Sequence, residues 1–193
     1  MQQIGLRHRD KFYLLTPGPT PVHPRALEAM ARPIIHHRTE DYERILKGVR
    51  EGLRYLFQVK DEVLIFASSG TGGMEGAVAN CLSQGDEAIV VRSGKFGERW
   101  AEICQVYGVK VLNIDLEWGH AVDPAVVAAL LEKERGVRAV FIQACETSTG
   151  VSHDIKALGE IVRRYDDTLL VVDAVSALGV YDIPADAWGL DVV

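Results

Sequence analysis

Cysteine is scarce in this chain. Cys81, Cys104 and Cys145 are an odd and widely spaced three, which excludes a disulfide framework and leaves no close pair for a metal site. Free thiols of a reducing compartment are expected, packed as buried spectators. Long apolar runs are missing too. No stretch approaches the ~20 residues that carry a helix across a bilayer, and residues 1–9 are mixed and polar, without the apolar core of a secretory signal. A cytoplasmic chain that avoids membranes is the expectation. Basic residues number 21 against 27 acidic ones, for a net charge of −6, and they are scattered. That pattern argues against a nucleic-acid surface. Internal repeats, low-complexity tracts and interdomain linkers are likewise absent. What is present is 48% hydrophobic and 25% charged over 193 residues, enough to bury a sizeable core in one domain.

Residues 1–23 read as an N-terminal arm and residues 24–193 as the domain. Leu14-Leu15-Thr16-Pro17-Gly18-Pro19-Thr20-Pro21 concentrates proline, which forbids helix and favours an extended segment. Gly18 between two prolines allows close backbone approach, either over a surface or at a pocket rim. A short helix is expected over 24–31. In the turn after it, His36 and His37 are adjacent and cannot share a helix face as metal ligands. Structural hydrogen bonding is the default there, with anion contact by Arg38 the alternative. Over 39–58, Tyr42, Ile45, Leu46, Val49, Leu53, Leu56 and Phe57 form one amphipathic stripe. From residue 63 strands and helices alternate, with strands at 63–67, 88–91, 109–116, 139–144 and 169–172. Helices are expected at 73–82, 97–107, 124–134 and 155–165. Such alternation implies βαβ units and a mainly parallel sheet.

The strand ends carry the polar chemistry. Ser68-Ser69-Gly70-Thr71-Gly72-Gly73-Met74-Glu75-Gly76 is a glycine-rich turn entering a helix, a ready anion site. Arg92-Ser93-Gly94-Lys95-Phe96-Gly97 sets an aromatic between glycines, a platform for a flat ring. Cys145-Glu146-Thr147-Ser148-Thr149-Gly150 supplies hydroxyls and a carboxylate. Thr168-Leu169-Leu170-Val171-Val172 reads as a strand buried on both faces, and Asp173 stands where it stops. In open α/β sheets ligands collect at that edge. Two ligands suit these parts. Gly70, Gly72 and Gly76 form a loosened dinucleotide fingerprint, and Arg92 would suit the 2′-phosphate of NADP. That reading leaves Asp173 unexplained. Pyridoxal 5′-phosphate uses every part, since a carboxylate on its ring nitrogen keeps the ring protonated and electron-withdrawing.

The ordered set Pro17-Gly18-Pro19, Ser69-Gly70-Thr71-Gly72, Gly94-Lys95-Phe96-Gly97-Glu98-Arg99, Glu146-Thr147-Ser148-Thr149-Gly150 and Val172-Asp173-Ala174-Val175-Ser176 resembles the class V aminotransferases of pyridoxal-phosphate fold type I. Within them it is most similar to the alanine–glyoxylate and serine–pyruvate aminotransferase group, over nearly the whole chain. The resemblance implies a three-layer α/β large domain with a mainly parallel sheet. By it, Thr71, Gly72 and Gly73 hold the cofactor phosphate and Phe96 stacks on the ring. Thr147 reaches the ring hydroxyl, Asp173 the ring nitrogen, and Val175 the opposite face. Gly18 lines the substrate pocket near a homodimer interface. Substrates would be a small amino acid, alanine or serine, and a 2-oxo acid, glyoxylate or pyruvate. The family's Schiff-base lysine follows a strand that Asp191-Val192-Val193 begins, so it falls beyond residue 193 and no lysine here matches it. On that ground the fragment alone is expected to be inactive. A cysteine desulfurase-like lyase is the nearest rival, disfavoured because those enzymes carry a histidine where Phe96 stands.

Overall fold

The computed structural model describes residues 13–193. Internal contacts divide the chain into two compact units, one ending at Glu43 and one running from Arg44 to Val193. In the first unit the proline-rich stretch is non-helical and the Gly18–Pro19 peptide is cis. Helix α1 (Pro24–Met30) opens on a proline, with His23 Nδ1 accepting the Arg25 N–H at 3.2 Å. His36 Nδ1 accepts the Arg38 N–H at 3.1 Å, and the His36 and His37 rings stack with centroids 4.7 Å apart. His36 is therefore occupied in a local turn. The boundary falls inside helix α2 (Glu40–Phe57), whose residues from Arg44 on belong to the second unit; it starts with Glu40, Asp41 and Glu43 and ends with Arg54, charges that complement its dipole at both ends. The apolar stripe read from the sequence is there, but Ile45, Val49 and Leu56 are exposed.

The second unit is an α/β layered domain. Its order is α3 (Gly70–Cys81), β1 (Glu87–Arg92), α4 (Lys95–Val106), β2 (Lys110–Asp115), α5 (Pro124–Lys133), β3 (Val137–Gln143), the short β4 (Cys145–Glu146) and β5 (Val151–Ser152), α6 (Ile155–Val162), β6 (Leu169–Asp173) and α7 (Ala185–Trp188). The main sheet has the order β2-β1-β3-β6, and every neighbouring pair is parallel. Each of its faces buries one cluster. Ile89, Val91, Val140, Ile142, Leu170 and Val172 pack under α5 and α6. Val90, Phe141 and Val171 pack under α3 and α4 with Met74, Val78 and Trp100. Two-sided burial explains why the strands read as unbroken apolar runs. Cys104 lies wholly inside the second cluster, and burial pushes its thiol up to about 12; it is a packed side chain rather than a nucleophile.

Residues 63–67 differ from expectation. They form no strand, and Leu64, Ile65 and Phe66 are exposed. A strand exists by pairing, and the free edge of β6 is taken by the chain's last residues: Val172 N–H donates to the Val192 carbonyl at 2.8 Å and Val171 bridges Val192 in parallel. Helices α3 and α4 also begin two to three residues earlier than expected, because Gly70, Thr71 and Phe96 sit in first helical turns rather than in loops.

Candidate active site

Helix α4 returns from β1 to β2 on one side, whereas the chain reaches β3 on the other side of β1. Strand order therefore reverses between β1 and β3, which makes the crevice beyond their carboxyl ends the natural ligand position. Four polar segments surround it.

At the first, Gly72 and Gly73 donate their N–H groups to the Ser69 carbonyl at 3.0 and 3.2 Å. The Gly70 and Thr71 N–H groups, at the first two helical positions, have no intrahelical acceptor. The Thr71 hydroxyl accepts from Arg99 Nη1 at 3.0 Å. A guanidinium thus stands at the positive end of α3, and the two together favour an anion. A Cβ at Gly72 would collide with Ser68 Oγ, so the turn requires glycine there.

At the second, α4 begins with Lys95 and places the half-buried Phe96 in its first turn. Its N-terminus is capped from a distance. Glu146, fully buried, accepts the Phe96 N–H (3.2 Å) and the Gly97 N–H (3.1 Å) on Oε2, and the Ser148 N–H (3.1 Å) and hydroxyl (2.7 Å) on Oε1. Lys95 N–H donates to Ser148 Oγ at 3.0 Å. A Cβ at Gly94 would stand 2.5 Å from both Glu146 Cγ and Ser148 Oγ, and one at Gly97 2.5 Å from the Val91 carbonyl. Both glycines are dictated by close packing.

The third and fourth segments meet. Thr147 Oγ1 and Ser176 Oγ share a short hydrogen bond. Asp173 ends β6, half-buried, and its Oδ1 accepts the Val175 N–H at 2.9 Å. Burial pushes its carboxyl above the ordinary carboxylate range, the Val175 N–H opposes that, and the Glu146 charge adds to it. Val175 is exposed, and a Cβ at Gly70 would lie 3.3 Å from its Cγ2. The acid's loop and the glycine turn are therefore neighbours. Among the candidate residues, Thr71, Gly72, Gly73, Phe96, Thr147, Asp173 and Val175 all fall on these four linked segments. Gly18 belongs to the first unit, where a Cβ would meet nothing within 4 Å.

The Arg92 Nε pairs with Asp115 Oδ1 at 3.1 Å, so the cation wanted for a 2′-phosphate already has a carboxylate partner. Two buried polar residues, Gln143 and His153, escaped the sequence reading, and the Glu146 carboxylate, read there as part of a polar cluster, turns out to be fully buried. His153 Nδ1 accepts the Val122 N–H at 3.1 Å, which fixes the proton on Nε2 and makes Ser93 Oγ, 2.9 Å away, the acceptor. A general base would need the opposite tautomer. This pair is a clamp between β1, the 122 loop and β5. Burial pushes the His153 ring below its usual value, with Glu146 opposing. No group of three or more His, Cys, Asp or Glu among the described residues could hold a metal ion.

The family model of aminotransferase class-V matches residues 12–193. The chain belongs to the class-V aminotransferase family. Its relatives include the soluble hydrogenase 42 kDa subunit of Anabaena cylindrica, 44% identical over 95% of this chain and 49% of that protein. Among solved structures, an aspartate aminotransferase from Thermus thermophilus is 38% identical with a TM-score of 0.86, over 93% of this chain and 51% of the other. An alanine–glyoxylate aminotransferase from a Nostoc species is 31% identical with a TM-score of 0.88, over 99% of this chain and 50% of the other. The chain spans about half the length of the class-V relatives it matches. Both structural likenesses carry the parallel α/β sheet described above. Among the described residues, no helix is long and apolar enough to cross a membrane.

Proposed function

We propose that these residues form the main cofactor bed of a pyridoxal 5′-phosphate-dependent aminotransferase, which moves an amino group between a small amino acid and a 2-oxo acid. The observation that carries the reading is the pairing of a half-buried carboxylate with an anion-favouring helix terminus, joined by Val175 beside Gly70. One small molecule with a phosphate at one end and a basic ring nitrogen near the other spans that arrangement.

The residues fit the group. The first turn of α3, with Thr71, Gly72, Gly73 and the Arg99 guanidinium, would hold the phosphate. Phe96 would stack on one ring face and Val175 cover the other. Thr147, coupled to Ser176, would hydrogen-bond the ring hydroxyl. Asp173 would keep the ring nitrogen protonated, which requires the carboxyl to ionise despite its burial. When bound, the cofactor supplies an electron-withdrawing ring that labilises the substrate's α-proton. This chain's own part is to bind the phosphate, orient the ring and hold a proton at its nitrogen. The proton carrier at the α-carbon and the covalent anchor would be a lysine, and no lysine in residues 1–193 matches the family's motif. The chain alone would therefore bind without turnover, and the whole enzyme would act as a homodimer. The Nostoc relative's name makes alanine and glyoxylate the first substrates to try.

Equilibrium dialysis of the purified chain against pyridoxal 5′-phosphate tests the reading. Saturable binding is expected, competed by inorganic phosphate and weakened about tenfold or more when Asp173→Asn removes the charge facing the ring nitrogen. No saturable binding would sink it. NADPH bound with pyridoxal phosphate ignored would replace it.

A further inference from the structure

Gln143 is the last residue of β3 and is wholly buried, yet neither polar atom of its amide has a hydrogen-bond partner. Such a group is costly, since an amide removed from water without partners loses more than an ordinary bond is worth. Its placement shows where a partner lies. Along β3, Val140 and Ile142 enter the cluster under α5 and α6, while Ala139 and Phe141 enter the one under α3 and α4. Gln143 continues the Phe141 side by the two-residue alternation of a strand. Its Oε1 lies 3.3 Å from where a Cβ on Gly97 would stand, under the first turn of α4. On β6, Leu170 and Val172 face one cluster and Val171 the other, so Asp173 continues the Val171 side. The register pairs Gln143 directly with Asp173. Two side chains facing the same way on adjacent strands, about 4.8 Å apart, are within a glutamine's reach of each other.

The neighbouring acceptors narrow the choice. Both oxygens of Glu146 are already taken, Oε2 by the Phe96 and Gly97 N–H groups and Oε1 by the Ser148 N–H and hydroxyl and a longer 3.4 Å contact from the Phe96 N–H. Asp173 Oδ1 takes the Val175 N–H, whereas Oδ2 has no protein donor among the described residues. On the α4 side, the buried Trp100 Nε1–H is a donor equally without a partner, of the kind the Gln143 carbonyl oxygen accepts.

We propose that Gln143 is a positioning residue for Asp173, donating from Nε2 to the oxygen opposite the one held by Val175 and so fixing the plane of the carboxylate at the sheet edge. A carboxylate gripped on both oxygens presents one defined direction to a ring nitrogen. Its use in catalysis rests on the proposed function; the hydrogen bond itself does not, and can be read without any cofactor.

The test is a carbon-13 titration of the aspartate carboxyls in the cofactor-free chain, with Asp173→Asn assigning the resonance. Gln143→Met keeps length and volume and removes the donor. Its expected effect is a rise of about one pH unit in the Asp173 midpoint, the loss of one bond to the charged form. Glu146, the other charged group acting on Asp173, is present in both proteins. An unchanged midpoint would overturn the proposal. Should the variant fail to fold, the unsubstituted chain still decides. The Gln143 side-chain amide resonances should move with the Asp173 midpoint, and an amide indifferent to that titration would overturn the proposal equally. Coupling of the two groups in a chain that does not bind pyridoxal phosphate would support the hydrogen bond and sink only the functional reading.

Discussion

Glu146→Gln isolates what a single buried carboxylate contributes to this fold. Glu146 lies 50 residues beyond Phe96 in sequence, yet it receives the N–H groups of Phe96 and Gly97 on one oxygen and the N–H and hydroxyl of Ser148 on the other. Glutamine has the same shape with one acceptor instead of two. It loses least by turning its oxygen to Phe96 and Gly97 and its NH2 to Ser148, whose hydroxyl then reverses and accepts. The Ser148 N–H is left facing a donor. One lost bond to a charged acceptor costs about 1.5 kcal/mol, and two more weaken from charge-assisted to neutral at about 0.5 kcal/mol each. The sum is about 2.5 kcal/mol. At about 2–4 °C per kcal/mol for a chain of this size, Tm should fall by about 5–10 °C. Urea unfolding followed by circular dichroism measures the loss. Hydrogen exchange should show the Phe96 and Gly97 amides opening before the rest of α4. A variant within about 0.5 kcal/mol of the parent, with those amides still protected, would refute the assignment of Glu146 as the cap of α4.

Gly94→Ala places a Cβ 2.5 Å from Glu146 Cγ inside a packed site and should cost about 1–3 kcal/mol in the same assay. His153 carries a pH dependence of known sign. Its folded ring is pushed below the ordinary 6.5, so just below that pH the unfolded chain binds the extra proton. Stability should decline as pH falls from 6.5, by at most about 1.4 kcal/mol per pH unit, and His153→Gln should flatten that slope. Asp173 behaves oppositely. Burial raises its carboxyl above 3.8, so its charge costs stability at neutral pH and the cost vanishes on acidification below 3.8. Asp173→Asn should raise Tm of the cofactor-free chain at pH 7 while weakening pyridoxal phosphate binding, a loss of function with a gain of stability that thermal melts and dialysis read together.

The layered fold was legible in the sequence because its strands are buried on both faces. Ile89-Val90-Val91 and Leu170-Val171-Val172 admit no other economical reading. Helix starts were misplaced for a local reason: glycines at 70, 72, 94 and 97 look like loop residues, while 70, 72 and 97 sit inside first turns, 94 is the cap of α4, and close packing demands glycine at 72, 94 and 97. Residues 63–67 have the composition of a strand but no partner, and pairing is invisible in one segment. Asp173 could be found because it interrupts an apolar run. The Glu146 carboxylate was visible in a polar motif, but nothing nearby in sequence reveals that two of its donors lie 49 and 50 residues back. His153 and Gln143 gave no signal at all, since a polar residue's burial is created by tertiary contacts rather than by its neighbours in the chain.

Arg99 to Thr71, Glu146 to Phe96, Thr147 to Ser176 and Val175 beside Gly70 close a loop of contacts around the crevice. Such a hoop spends its ordering entropy during folding, before any ligand arrives. Molecules entering it therefore meet walls already set, and stiffness at the mouth becomes a way of favouring flat, rigid guests over floppy ones.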